Sequence, residues 1–246
     1  MKAIKIPEKT VTRLSIYLRC LEELESDGVV SMSSKELAER FGLNSAQVRK
    51  DLAYFGQFGV RGLGYYISAL RHNLERIFGL KQGWEVALVG LGNLGSALIA
   101  YKGFQEKGFT ITAVFDQDPA KIGRRVDGVQ VMGTSRIVPV IRKRRIRIGI
   151  LAVPAASAQA VLNLLVEAGI TAVLNFVPAQ LAVPDSVKLQ NVDLSVLLKT
   201  LSYHITRTGR SSARKAYPPL VAYRSRRPIP RDALSPAPRP SRFTSS

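Results

Sequence analysis

The run Gly90-Leu91-Gly92-Asn93-Leu94-Gly95 carries the strongest chemical signal in the chain. An apolar stretch precedes it and a helix-forming stretch follows, and that context gives each glycine a task. The first permits a tight turn, the second lets a pyrophosphate approach the backbone, and the third lets helix and strand pack closely. The N–H groups and positive dipole end at the start of such a helix face the phosphates. Asp116 lies 21 residues beyond Gly95, at the end of the next apolar stretch. A carboxylate there accepts hydrogen bonds from both adenosine ribose hydroxyls and repels a 2′-phosphate. Its neighbours Gln117 and Asp118 bring no compensating cation, so the pattern favours NAD(H) over NADP(H). Spacing alone leaves open another nucleotide, such as coenzyme A. Val153-Pro154 and Asn175-Phe176 end later apolar stretches. They are expected to line the nicotinamide half, because ligands of parallel sheets bind at the carboxyl ends of strands.

A dehydrogenase also needs a proton donor beside the hydride acceptor. The two histidines, His72 and His204, fall in helical patterns rather than after core strands, and no substrate domain follows the glycine-loop region. Binding without chemistry is therefore expected, with no catalytic residue and no metal ligand set.

A second group of side chains is polar and basic: Ser45, Gln47, Arg49 and Lys50 within one short helical pattern, then Arg61-Gly62 and Tyr65 in a glycine-rich stretch. Gln pairs with adenine, Arg with guanine, and Lys serves bases or phosphates. Arginine beside glycine in a short hairpin can enter a narrow minor groove. The chain holds 36 Lys+Arg against 18 Asp+Glu, a net +18 that attracts polyanions. Residues 207–246 hold ten of the basic residues and one acid, so half of the excess lies outside residues 1–206.

The elements that must position these groups are legible in outline. Leu14, Tyr17, Leu18, Leu21 and Leu24 recur at helical steps within residues 9–27, and Gly28 stops the pattern. Ser33-Ser34-Lys35-Glu36 is a capping box opening a short helix that Gly42 ends. Asn44 caps a third helix over residues 45–54, before glycine-rich residues 56–64. Three short helices and a glycine-rich hairpin are the order of a winged helix-turn-helix. A connector helix over residues 68–78 follows. Beyond Trp84, strands at 85–89, 110–115, 129–132, 146–153 and 172–177 alternate with helices at 96–107 and 156–168, which predicts an α/β parallel sheet of Rossmann type. Arg142-Lys143-Arg144-Arg145 and Arg147 read as a solvated loop on the face opposite the nucleotide. The expected domains are a DNA-binding module over 1–80, a nucleotide-binding domain over 81–192, a last amphipathic helix within 193–206 and a disordered Arg/Pro-rich tail over 207–246. Cys20 is the only cysteine, which excludes an intramolecular disulfide and fits a reducing cytoplasm. No apolar run approaches the roughly 18–20 residues that span a bilayer. The early lysines Lys2, Lys5 and Lys9 do not make a signal peptide.

Several of these runs together resemble the Rex family of redox-sensing transcriptional repressors. They are Gln47-Val48-Arg49-Lys50-Asp51-Leu52-Ala53-Tyr54-Phe55-Gly56, Gly59-Val60-Arg61-Gly62-Leu63-Gly64-Tyr65, residues 89–96, Phe115-Asp116-Gln117-Asp118-Pro119, Gly169-Ile170 and Asn175-Phe176. The resemblance covers roughly residues 3–206. It implies a homodimer that binds a palindromic operator when NAD+ is bound or the sensor is empty, and that NADH releases from DNA. It implies that the last helix, residues 194–205 here, is exchanged between subunits. It also implies a switch network at Arg19, Tyr101 and Asp193, with Arg19 and Asp193 paired across the dimer in the DNA-competent state. Apolar groups such as Leu194 and Phe176 near the nicotinamide would disfavour its cationic form. The family usually ends soon after the exchanged helix, whereas this chain continues for about 40 residues. Two alternatives stand beside this reading: an NAD-dependent oxidoreductase with a fused DNA-binding module, and a DNA-binding sensor of another nucleotide.

Overall fold

The computed structural model describes residues 6–208. They form two compact units, one up to Ile77 and one from Phe78. In the first unit, α1 (Glu8–Ser26) buries the leucine stripe and Tyr17. β1 (Ser31–Met32) leads into α2 (Ser34–Phe41), whose start carries the full capping box: Ser33 Oγ accepts from Glu36 N, and Ser33 N donates to Glu36 Oε2. Gly42 ends α2 in the left-handed conformation that glycine adopts without a Cβ penalty. α3 (Ser45–Ala53) is capped by Asn44 and buries Val48 and Leu52. β2 (Gly59–Val60) and β3 (Gly64–Tyr66) form the hairpin, and β1 pairs antiparallel with β3 to give the order β1-β3-β2. Gly64 makes that third strand possible: at its φ of +94° a Cβ would stand 2.4 Å from Met32 O. β1 was not foreseen, since two residues cannot show a strand's alternation. α4 (Ile67–Phe78) completes the unit.

The second unit runs β4 (Trp84–Val89), α5 (Asn93–Ala100), α6 (Gly103–Glu106), β5 (Phe109–Asp116), β6 (Arg125–Val126), β7 (Val129–Gly133), α7 (Ile137–Arg144), β8 (Ile148–Leu151), α8 (Ala155–Ala168), β9 (Ala172–Asn175), β10 (Lys188–Asn191) and α9 (Leu194–Thr208). Its sheet has the order β10-β9-β8-β4-β5-β7-β6, parallel throughout except for β6 against β7. The order reverses between β4 and β8, and a doubly wound sheet opens its ligand crevice at the carboxyl ends flanking that point. α7 and α8 cover one face, packing Ile137, Ile141, Leu162 and Leu165 on Ala87, Phe115 and Leu151. Leu91 and Ile99 cover the other face above Leu88, Val114 and Ile150. Each such side chain contributes roughly 1.5–3 kcal/mol on burial.

Two expectations are corrected, and one strand was not foreseen. The helix over residues 96–107 is two pieces, because Tyr101 turns extended (φ −77°, ψ 100°) and lays its ring over Gly103, where a Cβ would come within 2.5 Å. Arg142, Lys143 and Arg144 are not loop residues but the last turn of α7. That helix forms because Ile137, Val138 and Ile141 share one apolar face, and its arginines donate to backbone carbonyls: Arg142 to Glu167 O in the last turn of α8, Arg144 to Thr112 O within β5. β10 is an added edge strand whose Lys188-Leu189-Gln190-Asn191 sequence lacks an apolar run. Of the tail predicted over residues 207–246, the first two residues continue α9 and the rest lies outside the described residues.

Candidate functional site

The glycine loop follows β4, and its three glycines meet three different surroundings. Gly90 has φ +96°, and a Cβ there would lie 2.4 Å from Ala152 O, so only glycine lets the β4 and β8 ends close together. A Cβ on Gly95 would lie 1.9 Å from Gly90 O, so the third glycine is demanded by the packing of α5 against the loop. A Cβ on Gly92 would meet nothing within 4 Å. The second glycine is therefore not required by the protein's own packing, and the open space above it suits a phosphate. Gly92 is also the N-cap of α5 and supplies no side-chain cap, so the first turn's amides of Asn93 and Leu94 face that space. Pro154 caps α8 in the same manner on the far side of the crevice, with Val153 half-buried before it.

Asp116 ends β5 and is 7% exposed. Its Oδ2 accepts from Leu91 N at 2.7 Å and its Oδ1 from Asp118 N at 2.8 Å. Burial alone would raise its pKa. The backbone N–H groups of Asp118 and Leu91, with Lys121, outweigh burial and hold the carboxyl below its ordinary value. Lys121 Nζ stands 3.3 Å from Asp116 Oδ2. Gln117 and Asp118 bring no cation, as read from the sequence, but the turn after Pro119 brings back a lysine five residues on.

At the other half of the crevice, Asn175 is 1% exposed. Its amide donates to Val177 O and Asn191 Oδ1, and its carbonyl accepts from Val177 N. Asn175 thus locks the ends of β9 and β10 and shapes the loop. Phe176 is half-buried against the Leu91 and Ile150 cluster. A cavity of about 250 Å³ borders these residues, lined by Val177, Gln180, Val192 and Asp193 among others. A second cavity, of about 520 Å³, lies near the amino end of β5, away from the glycine loop.

In the first unit, α3 turns Val48 and Leu52 into the core and leaves Arg49 and Lys50 exposed. Arg49 Nη1 donates to Ser34 Oγ, and Gln47 Nε2 to Asp51 Oδ1, so both side chains are braced. Ser45 is half-exposed at the first turn. Arg61 and Gly62 form the exposed tip of the β2–β3 hairpin, where Gly62 takes φ +83°. Tyr65 is 8% exposed and packs beside Gly59 under the wing. The structure makes it a support of the wing rather than a surface group, because alternation along β3 turns it inward while Tyr66 faces out.

Sequence reasoning overlooked the residue that orients α3. Asp51 is fully buried and accepts from Arg13 Nε at 2.5 Å, Arg13 Nη2 at 2.7 Å, Tyr17 Oη at 2.9 Å, Gln47 Nε2 at 2.8 Å and Thr10 Oγ1 at 3.2 Å. Burial opposes its charge, but Arg13, Tyr17 and Gln47 hold its pKa below the ordinary value. It fastens α3 to α1. An acidic residue on the inward face of a basic helix was the available signal.

Of the three proposed switch residues, Arg19 is exposed on α1 and Tyr101 is 60% exposed beside Phe104. Asp193 is the N-terminal cap of α9, accepting from Ser195 N at 2.8 Å and Val196 N at 3.3 Å, and the Ser195 side chain together with those bonds holds its carboxyl below the ordinary range. α9 itself exposes Leu194, Val196, Leu197, Leu198, Leu201, Tyr203 and Ile205, each more than half accessible.

Comparisons with known proteins find matches in both units. A family model described as "Putative DNA-binding protein N-terminus" matches residues 5–53, and one described as "CoA binding domain" matches residues 81–179. Over 205 residues the chain is 52% identical to the redox-sensing transcriptional repressor Rex of Pelotomaculum thermopropionicum, covering 83% of this chain and 96% of that protein. It is 50% identical to the Rex repressor of Desulfitobacterium hafniense over 83% and 98%. Among solved structures, RSP in complex with β-NAD+ and operator DNA matches with a TM-score of 0.80 and 40% identity, over 83% of this chain and 94% of that chain. RSP in complex with β-NADH matches at 0.75 and 38%, over 85% and 97%.

Proposed function

The chain belongs to the Rex family of redox-sensing transcriptional repressors, and from that we propose that it binds operator DNA through α3 and the β2–β3 wing and is released when NADH occupies the β4–α5 loop. The observation that carries this reading is the pairing of an unobstructed Gly92 with Asp116, held by Leu91 N at 2.7 Å, in a chain whose other unit presents Arg49, Lys50 and Arg61 to solvent. Relatives bearing the Rex name and RSP structures with NAD+, NADH and operator DNA support it. A carboxylate at the adenosine ribose disfavours coenzyme A, whose ribose carries a 3′-phosphate, as it disfavours NADP(H).

The redox signal reaches the protein through the nucleotide rather than through a thiol. Cys20 is the only cysteine, is 4% exposed, and burial pushes its thiol up to about 11. A thiolate is the reactive form, and such a site holds almost none at neutral pH. The relatives are repressors, and we read the site as binding the dinucleotide without turning it over. The apolar stripe of α9 supports a homodimer in which the partner subunit covers that helix, and two copies match a palindromic operator. Arg19 and Asp193 then couple the subunits, with Tyr101 beside the path. No described helix is long and apolar enough to cross a membrane, and a cytoplasmic location fits a DNA ligand.

The nucleotide must distinguish two conformations, since equal affinity for both shifts nothing. A gel shift with operator DNA at fixed ionic strength, titrated with NADH and separately with NAD+, tests the reading. Release by NADH at concentrations where NAD+ leaves the complex intact is expected; release by neither nucleotide would overturn it.

A further inference from the structure

We infer that Lys121 is a specificity determinant of the nucleotide site: its ammonium is a latent 2′-phosphate partner that Asp116 keeps occupied, so exclusion of 2′-phosphorylated dinucleotides depends on the pair rather than on Asp116 alone. This rests on the NAD(H) reading of the site. Lys121 Nζ lies 3.3 Å from Asp116 Oδ2 and 3.6 Å from Asp118 Oδ2, one cation between two carboxylates. The backbone builds this placement. Asp118 O accepts from Lys121 N at 3.0 Å, and Asp118 Oδ1 accepts from Ala120 N at 2.9 Å, which closes the turn after β5 and returns the lysine to the strand end. The lysine side chain keeps about a third of its surface accessible (34%), so its ammonium reaches whatever binds at Asp116.

Hydrogen-bond capacity separates the two residues' tasks. Asp116 Oδ2 already receives Leu91 N and Lys121, whereas Oδ1 receives only Asp118 N among the described contacts. A ribose diol donates to a carboxylate, so it completes Oδ1 and displaces or shares the lysine contact at Oδ2. A 2′-phosphate has no proton to donate and meets the Asp116 charge. The same phosphate oxygens, however, lie within reach of Lys121, and an ammonium binds phosphate as a point charge. While Asp116 is ionised, its pairing with Lys121 and its repulsion of phosphate act in one direction. Once the Asp116 charge is removed, both effects vanish together, and Lys121 becomes a phosphate ligand.

Calorimetry on the full chain, with NADH and NADPH as the titrants, tests this in four proteins: unmodified, Asp116→Asn, Lys121→Gln and the double variant. The unmodified protein should bind NADH well ahead of NADPH. Asp116→Asn should strengthen NADPH binding on the order of tenfold, as one charge-assisted contact is gained, and the double variant should lose most of that gain. Equal NADPH affinity in Asp116→Asn and the double variant would overturn the proposal, as would no gain in Asp116→Asn when its thermal unfolding matches the parent. Should Asp116→Asn unfold early, Asp116→Ser with and without Lys121→Gln gives the same comparison. Failure of the unmodified protein to bind either dinucleotide would instead overturn the reading of the site itself.

Discussion

Replacing Asp51 by alanine should loosen the DNA-reading unit while leaving the nucleotide unit intact. The carboxylate is fully buried and accepts five hydrogen bonds, four of which join α3 to α1. Removing one partner of a buried ion pair costs about 3–5 kcal/mol, because the remaining charge keeps its desolvation penalty. Arg13 is 31% exposed, so water recovers part of its loss, but the hydroxyl of Tyr17, a residue only 2% exposed, is left without its acceptor. A cost of about 3–5 kcal/mol lowers the melting temperature of a unit this size by roughly 15–30 °C. The single tryptophan, Trp84, lies in the second unit, so its fluorescence reports that unit while far-UV circular dichroism reports both. Asp51→Ala should therefore show an early loss of helicity that tryptophan fluorescence does not follow, with weakened operator binding. The sign of the pH dependence follows from the depressed pKa. Asp51 contributes stability above the unfolded carboxyl pKa of about 3.9, and that contribution is lost as pH falls through its lower folded value. Acid unfolding of the first unit should flatten in Asp51→Asn. A destabilisation below about 1 kcal/mol, or a matching shift in tryptophan fluorescence, would refute the reasoning.

Other perturbations separate structural from functional roles. Gly95→Ala should destabilise the second unit, its Cβ falling 1.9 Å from Gly90 O, whereas Gly92→Ala should melt like the parent yet bind NADH poorly; thermal scans with and without NADH compare them. Asp193→Asn preserves an N-cap oxygen and removes the charge, while Asp193→Ala removes both. If the Arg19–Asp193 pair operates, both variants lose the NADH response of DNA binding, and a normal response in Asp193→Asn would leave Asp193 only its capping role. Cys20→Ala should keep its NADH response unchanged in a gel shift, because the buried thiol takes no part in sensing.

What the sequence made legible is what rests on local pattern. The leucine stripe of α1, the Ser33–Glu36 box, the glycine stops and the 90–95 loop each depend on residues a few positions apart. Strand alternation gave the parallel sheet but not β10, whose pairing with β9 is decided by a neighbour rather than by its own polar sequence. The break at Tyr101 depends on a ring lying over Gly103, and α7 on an apolar face hidden beside a basic run. The site followed the same rule. Asp116 was legible because a strand end and a spacing mark it. Lys121 was not, because only the closed turn brings it back to the carboxylate. Asp51 was passed over within a run read for its basic residues, although it is what aims them. Tyr65 and Asn175 lie in runs that were legible, and the supporting task that the fold gives each is visible only in the structure.

The account turns on one molecule answering to both DNA and the reduced dinucleotide. Fluorescence anisotropy of a labelled palindromic operator bound to the full chain, at constant salt and with NADH added against a fixed excess of NAD+, measures that coupling directly. Anisotropy should fall as the NADH/NAD+ ratio rises, and Gly92→Ala should abolish the fall without weakening DNA binding in the absence of nucleotide. Operator binding that ignores the ratio, or a full response in Gly92→Ala, would contradict it.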